Sequence, residues 1–300
     1  MSRIPRLLIP LLALGATSAG AQSVQPWCYT GFHPGEVAGT VFLPEGDLFC
    51  PLLADPKAER SFVSFLRGDF PALQAGVDVG EDMSIGAVGL GDAFPLVRFG
   101  GSTPGDGFQV AIVGSIFAQF DMGTESIDLI NADYLVGVPV TVRWSGFSSR
   151  LRLYHQSSHL GDEFLLRTEL QRENLSFEAL ELLLSQEFGP LRAYAGGEYL
   201  FNREPEMLDQ KLAHVGLEAR AGQLRGVRFV AAVDAKMVEQ RDWDPGLSAR
   251  AGIEFAYWRD ESHPPRLWAI LFEFYDGPSP YGQFFQEQVR WFGLGLHLSL

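Results

Sequence analysis

Residues 131–144 read Asn-Ala-Asp-Tyr-Leu-Val-Gly-Val-Pro-Val-Thr-Val-Arg-Trp, with apolar and polar side chains in alternation. One face of this segment carries the apolar residues Tyr134, Val136, Val138, Val140, Val142 and Trp144. The opposite face carries the polar residues Asn131, Asp133, Thr141 and Arg143. A period of two residues predicts a β-strand that is apolar on one face and polar on the other.

The same alternation is found along most of the chain and predicts a series of strands. The predicted strands lie at 84–99, 108–121, 131–144, 148–159, 173–187, 190–201, 209–221, 226–238, 246–258, 266–276 and 286–300. Because bacterial single-chain barrels have an even number of strands, we expect one more strand within 61–80, at Phe62–Leu66. The total is then about twelve strands.

Alternating strands fit a soluble sandwich, which buries its apolar face, or a membrane barrel, which turns that face to lipid. The ends of the apolar rows favour the barrel because they carry Trp144, Tyr257, Trp258 and Trp268. Aromatic residues in these places are typical of the interfacial girdles of outer-membrane barrels.

The connections between strands also favour a barrel. Tight turns at 145–147 and 188–190 contrast with longer polar loops at 160–172, 201–208 and 239–245. Outer-membrane barrels have short periplasmic turns and long outer loops. The alternating terminal strand 292–300 also resembles their assembly signal. We therefore predict an all-β fold: a closed, antiparallel transmembrane β-barrel in the outer membrane of a Gram-negative bacterium, assembled there by the barrel-assembly machinery.

Several predicted strands place charges on the face opposite the apolar row, where they would line the lumen. These residues are Arg143, Arg150, Arg152, Asp234, Lys236, Glu254 and Glu273. Opposed rows of arginine and carboxylate fill a small barrel with salt bridges more often than they define a conduction path. We therefore expect a salt-bridged lumen and no wide pore.

The N-terminal part of the chain is divided into a signal peptide and a short irregular segment. Residues 1–21 have basic residues, an apolar run and a small-residue cleavage site, which predicts export. Residues 22–60 are rich in Gly and Pro, and we interpret them as a periplasmic segment that caps or plugs the barrel formed by 61–300. An exported chain with two cysteines, Cys28 and Cys50, predicts one disulfide between them.

The net charge of −14 argues against binding nucleic acid through its phosphates. In the strand 148–159, parity places His155, Ser157 and His159 on the lipid-facing side, while Arg150 and Arg152 point inward. A polar cluster facing lipid is costly, and serine becomes a nucleophile when an imidazole accepts its proton. We expect Asn174, on the following strand, to lie near His155.

This His-x-Ser pair at the outer rim resembles the arrangement in outer-membrane phospholipase A and in lipid A deacylases. The resemblance implies that Ser157 is the nucleophile, that His155 is the base and that Asn174 orients the imidazole. It also implies calcium as a cofactor, and loop residues Asp162 and Glu163 are the candidate ligands. A polar strand end in the headgroup zone and solvated acidic residues are the plainer interpretations.

The chain as a whole resembles an exported bacterial family known as domain-of-unknown-function family 1207. The resemblance is carried by segments 42–46, 52–57, 131–134, 155–164 and 273–277, and it implies no activity. From the alternating strands and the His-x-Ser pair together, we predict an outer-membrane barrel that contacts outer-membrane lipids and hydrolyses their acyl esters. The alternative is a non-enzymatic barrel, either structural or a narrow channel, and the sequence leaves the oligomeric state open.

Overall fold

The structure is a computed structural model that describes residues 39–71, 82–103, 105–168, 170, 172–224, 227–257 and 266–299. The predicted signal peptide, Cys28 and Trp258 lie outside these residues. Cys50 is buried. The Cys28–Cys50 disulfide therefore stays a prediction.

The described residues form a single antiparallel sheet, one short α-helix and two 3₁₀-helical turns, Glu239–Arg241 and Gly282–Phe284. Their bounds are β1 Gly39–Phe42, β2 Ser61–Asp69, β3 Met83–Gly100, β4 Gly107–Asp121, β5 Leu129–Trp144, β6 Phe147–Leu160, α1 Asp162–Thr168, β7 Leu175–Phe188, β8 Leu191–Glu204, β9 Lys211–Leu224, β10 Val227–Val238, β11 Pro245–Tyr257, β12 Arg266–Pro278 and β13 Gln288–Ser299. Each strand from β2 to β13 pairs with the next, and β13 pairs with β2. The pairing closes the sheet into a barrel, which removes its edges.

The prediction of a closed, twelve-stranded barrel is confirmed. The last predicted strand is present as β2, which contains Phe62–Leu66 and closes the sheet. Strand β1 was not predicted, and it pairs with the end of β3 outside the barrel. Its four residues are too short for a two-residue period to be evident in the sequence.

The two ends of the barrel differ in the length of their connections. At one end, strands are joined by tight turns such as Ser145–Gly146 and 189–190, where Gly146 and Gly189 adopt left-handed φ values of 81° and 60°. At the other end, the connections are longer and one contains α1. By the rule for outer-membrane barrels, the long loops mark the outer end and the tight turns mark the periplasmic end.

The outer wall is apolar, and the lumen is polar. Exposed side chains around the wall include Val63, Leu90, Val138, Leu153, Leu182, Phe229, Ile270 and Leu294. Trp144, Tyr257 and Trp268 are exposed near the periplasmic ends of β5, β11 and β12. The predicted faces of the strands are therefore confirmed. Among the described residues, no helix has the length and apolar composition needed to cross a membrane.

Residues 43–60, which we call the plug, run from the periplasmic mouth, where Leu43 is exposed, into the barrel. Leu48, Phe49, Leu52 and Leu53 are all at most 1% exposed. The plug enters at the periplasmic end, where Arg98 donates to the carbonyl oxygen of Gly46 over 2.8 Å. Most of the described part of the predicted segment 22–60 is thus packed into the barrel, while β1 lies outside it.

Near the outer end, the plug turns back at Asp55–Lys57 before it reaches β2. The amide of Ala58 donates to the carbonyl oxygen of Asp55 over 3.2 Å, which closes this turn. Lys57 pairs with Asp133, and Asp133 also accepts a 3.0 Å hydrogen bond from the amide of Gly282 in the loop above. The plug from below and the outer loop from above therefore meet at Asp133.

Most partners of the plug are charged residues of the lumen wall on several strands. Lys236 of β10 lies 3.0 Å from Asp55, Glu218 of β9 accepts a 2.6 Å hydrogen bond from the amide of Leu53, and Arg250 of β11 donates to the carbonyl oxygen of Leu53. On the opposite side, Glu59 pairs with Arg150 and Arg152 of β6. The plug is therefore held from both sides of the barrel.

Candidate active site on the outer wall

Strand β6 carries three polar residues on the wall that faces lipid. The burial pattern alternates along this strand, with Leu151 and Leu153 exposed and Arg150 and Arg152 buried. His155 and Ser157 are half-buried and His159 is exposed, which places them on the outward face. The predicted orientation of these three residues agrees with the structure.

His155 is paired with a carboxylate of the next strand. In the register between β6 and β7, His155 lies opposite Glu178. Nδ1 of His155 lies 3.1 Å from Oε1 of Glu178, and the two side chains are 40% and 30% exposed. A carboxylate bound to Nδ1 keeps a neutral imidazole protonated there, so that Nε2 is free to accept a proton.

Asn174 does not contact His155, in contrast to the expectation from the sequence. Strand β7 begins at Leu175, and its register places Ser176 opposite Ser157 and Glu178 opposite His155. Asn174 therefore lies beyond the paired part of β7, and its amide donates to Glu204. Glu178, the carboxylate that contacts His155, was not among the predicted site residues, although an acidic residue on a lipid-facing position is itself an indication of function.

A β-bulge lies beside Glu178 in the pairing of β7 with β8. Ser176 is opposite Glu204 and Glu178 is opposite Phe201, so β8 has one residue more than β7 in this interval. Within it, Asn202 has a left-handed φ of 48°. Bulges bend a strand and change the direction of nearby side chains, and they are frequent next to active sites.

His159 has different partners from His155. Its Nδ1 accepts a 2.6 Å hydrogen bond from Arg172, and its ring meets the edge of Tyr134 at 5.7 Å between centroids. Among the described residues, it is His155 that is paired with a carboxylate on this part of the wall. His155 is therefore the better candidate for a base.

Ser157 lies two residues from His155 on the same face of the strand. Its hydroxyl makes no hydrogen bond to any described residue. In enzymes without substrate, the bond between nucleophile and base is often long, and it shortens when substrate binds. The outward face of β6 therefore carries a serine two residues from an imidazole that contacts a carboxylate.

Asp162 and Glu163, the residues predicted to bind calcium, lie on the surface of the protein. Asp162 and Glu163 are exposed in the first turn of α1, where acidic residues favour the helix dipole. Calcium takes six to eight oxygen ligands. The described part of the chain contains no group of three or more His, Cys, Asp or Glu residues that could hold a metal ion.

The predicted lumen residues form ion pairs across the strands. The strand-to-strand ion pairs of arginine are Arg143–Glu187, Arg150–Glu181, Arg152–Glu181, Arg220–Glu254, Arg228–Glu254 and Arg250–Glu273. In addition, His214 contacts Asp234 and His297 contacts Glu273. Lys236 pairs with Asp55 of the plug. The structure therefore places all the predicted lumen charges inside the barrel, with carboxylates of the plug as additional partners.

A profile of the family described as "Protein of unknown function (DUF1207)" matches residues 33–300. No curated protein matches the chain in sequence. Outer membrane phospholipase A from Escherichia coli is similar in structure, with a TM-score of 0.54 and 14% identity over 83% of this chain and 93% of that one. The Salmonella typhi outer membrane phospholipase dimer with bound calcium gives 0.55 and 12%, over 80% and 91%. These similarities show the fold of an outer-membrane barrel.

Proposed function

The chain belongs to the DUF1207 family, whose function is unknown. We propose that it hydrolyses an acyl ester of an outer-leaflet lipid with Ser157, His155 and Glu178. The observation that carries the proposal is the 3.1 Å contact between His155 and Glu178, beside Ser157 and among exposed apolar side chains such as Val136 and Leu153. Polar groups that face lipid are expensive, so such a cluster indicates a functional site. The fold, which is that of outer membrane phospholipase A, supports the same class of reaction.

Each residue has a defined role in this reaction. Oγ of Ser157 attacks the carbonyl carbon of the ester, and Nε2 of His155 takes the hydroxyl proton. The tetrahedral intermediate then breaks its bond to the alcohol oxygen, and His155 returns the proton to the leaving lysolipid. Water attacks the acyl-enzyme with His155 as base, which releases a fatty acid and restores Ser157. Glu178 fixes the imidazole tautomer throughout.

The alternative function is a narrow channel or a structural barrel. The plug lies in the lumen from the level of Gly46 to that of Lys57, and it contacts strands on both sides. This arrangement favours a closed barrel over a conducting one. Activity at the outer wall does not require an open lumen, so the plug is compatible with hydrolysis.

The proposal is tested with purified protein refolded in detergent and incubated with phospholipid vesicles or with lipopolysaccharide, in the presence of calcium or of a chelator. Mass spectrometry measures released fatty acid and lysolipid. Ser157→Ala should lower the rate by about 10³-fold or more. Glu178→Gln should lower it by about 10²- to 10⁴-fold, because the imidazole loses its orienting charge.

Two control variants lie on the same wall. Ser176→Ala removes the hydroxyl opposite Ser157, and His159→Asn removes the histidine next to it, so neither should change the rate. Heat-modifiable migration on gels verifies that each variant has folded as a barrel. If the folded wild type releases nothing from any lipid, or if Ser176→Ala is as inactive as Ser157→Ala, the assignment is wrong.

A further inference from the structure

A groove crosses the outer wall beside the candidate active site. Its volume is about 400 Å³, within the range of roughly 300–1,000 Å³ that is usual for small-molecule sites. The outward-facing residues that line it are Leu90, Gly114, Ile116, Tyr134, Val136 and His155. The groove is therefore apolar along most of its length and ends at the histidine of the site.

The groove exists because Gly114 has no side chain at an outward position. Its neighbours on the same face of β4, Ile112 and Ile116, are large and exposed. A Cβ atom built on Gly114 would meet no atom within 4 Å. The absence of a side chain thus leaves a depression on β4 between the exposed side chains of Ile112 and Ile116.

The groove and His155 lie on one line across the strands. Gly114 is opposite Val136, and Val136 is opposite His155. Because neighbouring strands are about 4.8 Å apart, Gly114 lies about 10 Å from His155. A linear molecule with its reactive end at Ser157 could therefore extend over Val136 and Gly114.

We infer that this groove holds an acyl chain of the lipid whose ester bond is cleaved, an inference that rests on the proposed function. The groove opens to the hydrocarbon region of the membrane, where acyl chains are the available apolar ligands. Gly114 then determines how long a chain fits. A larger side chain at this position would close the groove about 10 Å from His155 and exclude long chains.

The test compares Gly114→Leu with Ala231→Leu. Both positions face lipid, and Ala231 lies on β10, away from the groove. Hydrolysis is measured on phospholipids with short and with long acyl chains. Gly114→Leu should lower the ratio of long-chain to short-chain hydrolysis by about tenfold or more, and Ala231→Leu should leave it unchanged.

A second measurement does not depend on catalysis. A phospholipid with a photoreactive diazirine in its acyl chain is cross-linked in vesicles, and the labelled peptides are mapped by mass spectrometry. The wild type and Ala231→Leu should be labelled preferentially on β4 and β5, and Gly114→Leu should lose this preference. Uniform labelling around the wild-type barrel would overturn the inference.

The two measurements separate the groove from the reaction. If Gly114→Leu hydrolyses lipid with an unchanged ratio of long-chain to short-chain substrates, the inference that the groove holds an acyl chain is wrong and the proposed function still holds. Preferential labelling of β4 and β5 without hydrolysis supports the groove as a lipid site and overturns the proposed function.

Discussion

Replacing Glu59 by Gln should loosen the plug without unfolding the barrel. Glu59 is 9% exposed, and it lies between Arg150, at 2.9 Å, and Arg152. Glu181 of β7 binds the same two arginines, at 2.8 and 2.6 Å. Two carboxylates thus balance two guanidinium groups, and the substitution leaves one buried positive charge unbalanced.

The cost follows from this arrangement. Removing one partner of a buried ion pair costs about 3–5 kcal/mol. Because both arginines keep Glu181, we expect the lower end of that range, about 3 kcal/mol. Glu59 belongs to the plug and both arginines belong to the barrel. The loss of their interaction free energy therefore shifts the equilibrium toward a released plug. At 1.4 kcal/mol per tenfold change, the released population should rise by about 10²-fold.

Trypsin cleavage after Lys57 and Arg60 measures that population. The side chain of Lys57 is 10% exposed and Arg60 is 5% exposed, so both sites are protected while the plug is in place. When opening and closing are fast, the cleavage rate follows the open population. We therefore expect Glu59→Gln to be cleaved at these sites about 10²-fold faster than wild type.

Glu239→Gln is the matched control. Glu239 pairs with Lys211 at 3.1 Å near the outer end, but the two side chains are 32% and 59% exposed. Exposed pairs contribute about 0–1 kcal/mol, so cleavage should change by less than about fivefold. The variant Glu59→Gln/Arg150→Gln restores the charge balance and should recover part of the protection. Equal cleavage of Glu59→Gln and Glu239→Gln would refute the reasoning.

Three further predictions concern the lumen and the N-terminal segment. Removing residues 22–59 should produce conductance steps in planar bilayers that the full mature chain does not show, because the plug no longer lies in the lumen; equally silent traces would contradict this. Cys28 and Cys50 should react with a thiol reagent only after reduction of the unfolded chain, and labelling before reduction would exclude the disulfide. Gly216→Ala should lower stability to denaturant by about 1–3 kcal/mol, whereas Gly114→Ala should change it little. A Cβ at Gly216 would lie 2.2 Å from the Tyr194 ring, which hydrogen-bonds to Asp234.

The strands were predictable because their signal is local. Alternation along 131–144 reports which face of a strand each side chain occupies, and this depends on neighbours in sequence alone. The same parity placed His155 and Ser157 on the outer wall and Arg150 and Arg152 in the lumen, as the structure has them. The partner of His155 could not be identified from this local signal, because it depends on where the next strand begins.

The sequence by itself determined the barrel, its strands and the sides on which the charges and the His-x-Ser pair lie, since a two-residue period and the types of connection are properties of the chain. Only the tertiary structure decided that Glu178 and not Asn174 meets His155, because inter-strand register is set by pairing across a loop. It also decided that the plug enters the lumen. Its partners, such as Lys236 and Glu218, lie far along the chain and come together only when the sheet closes.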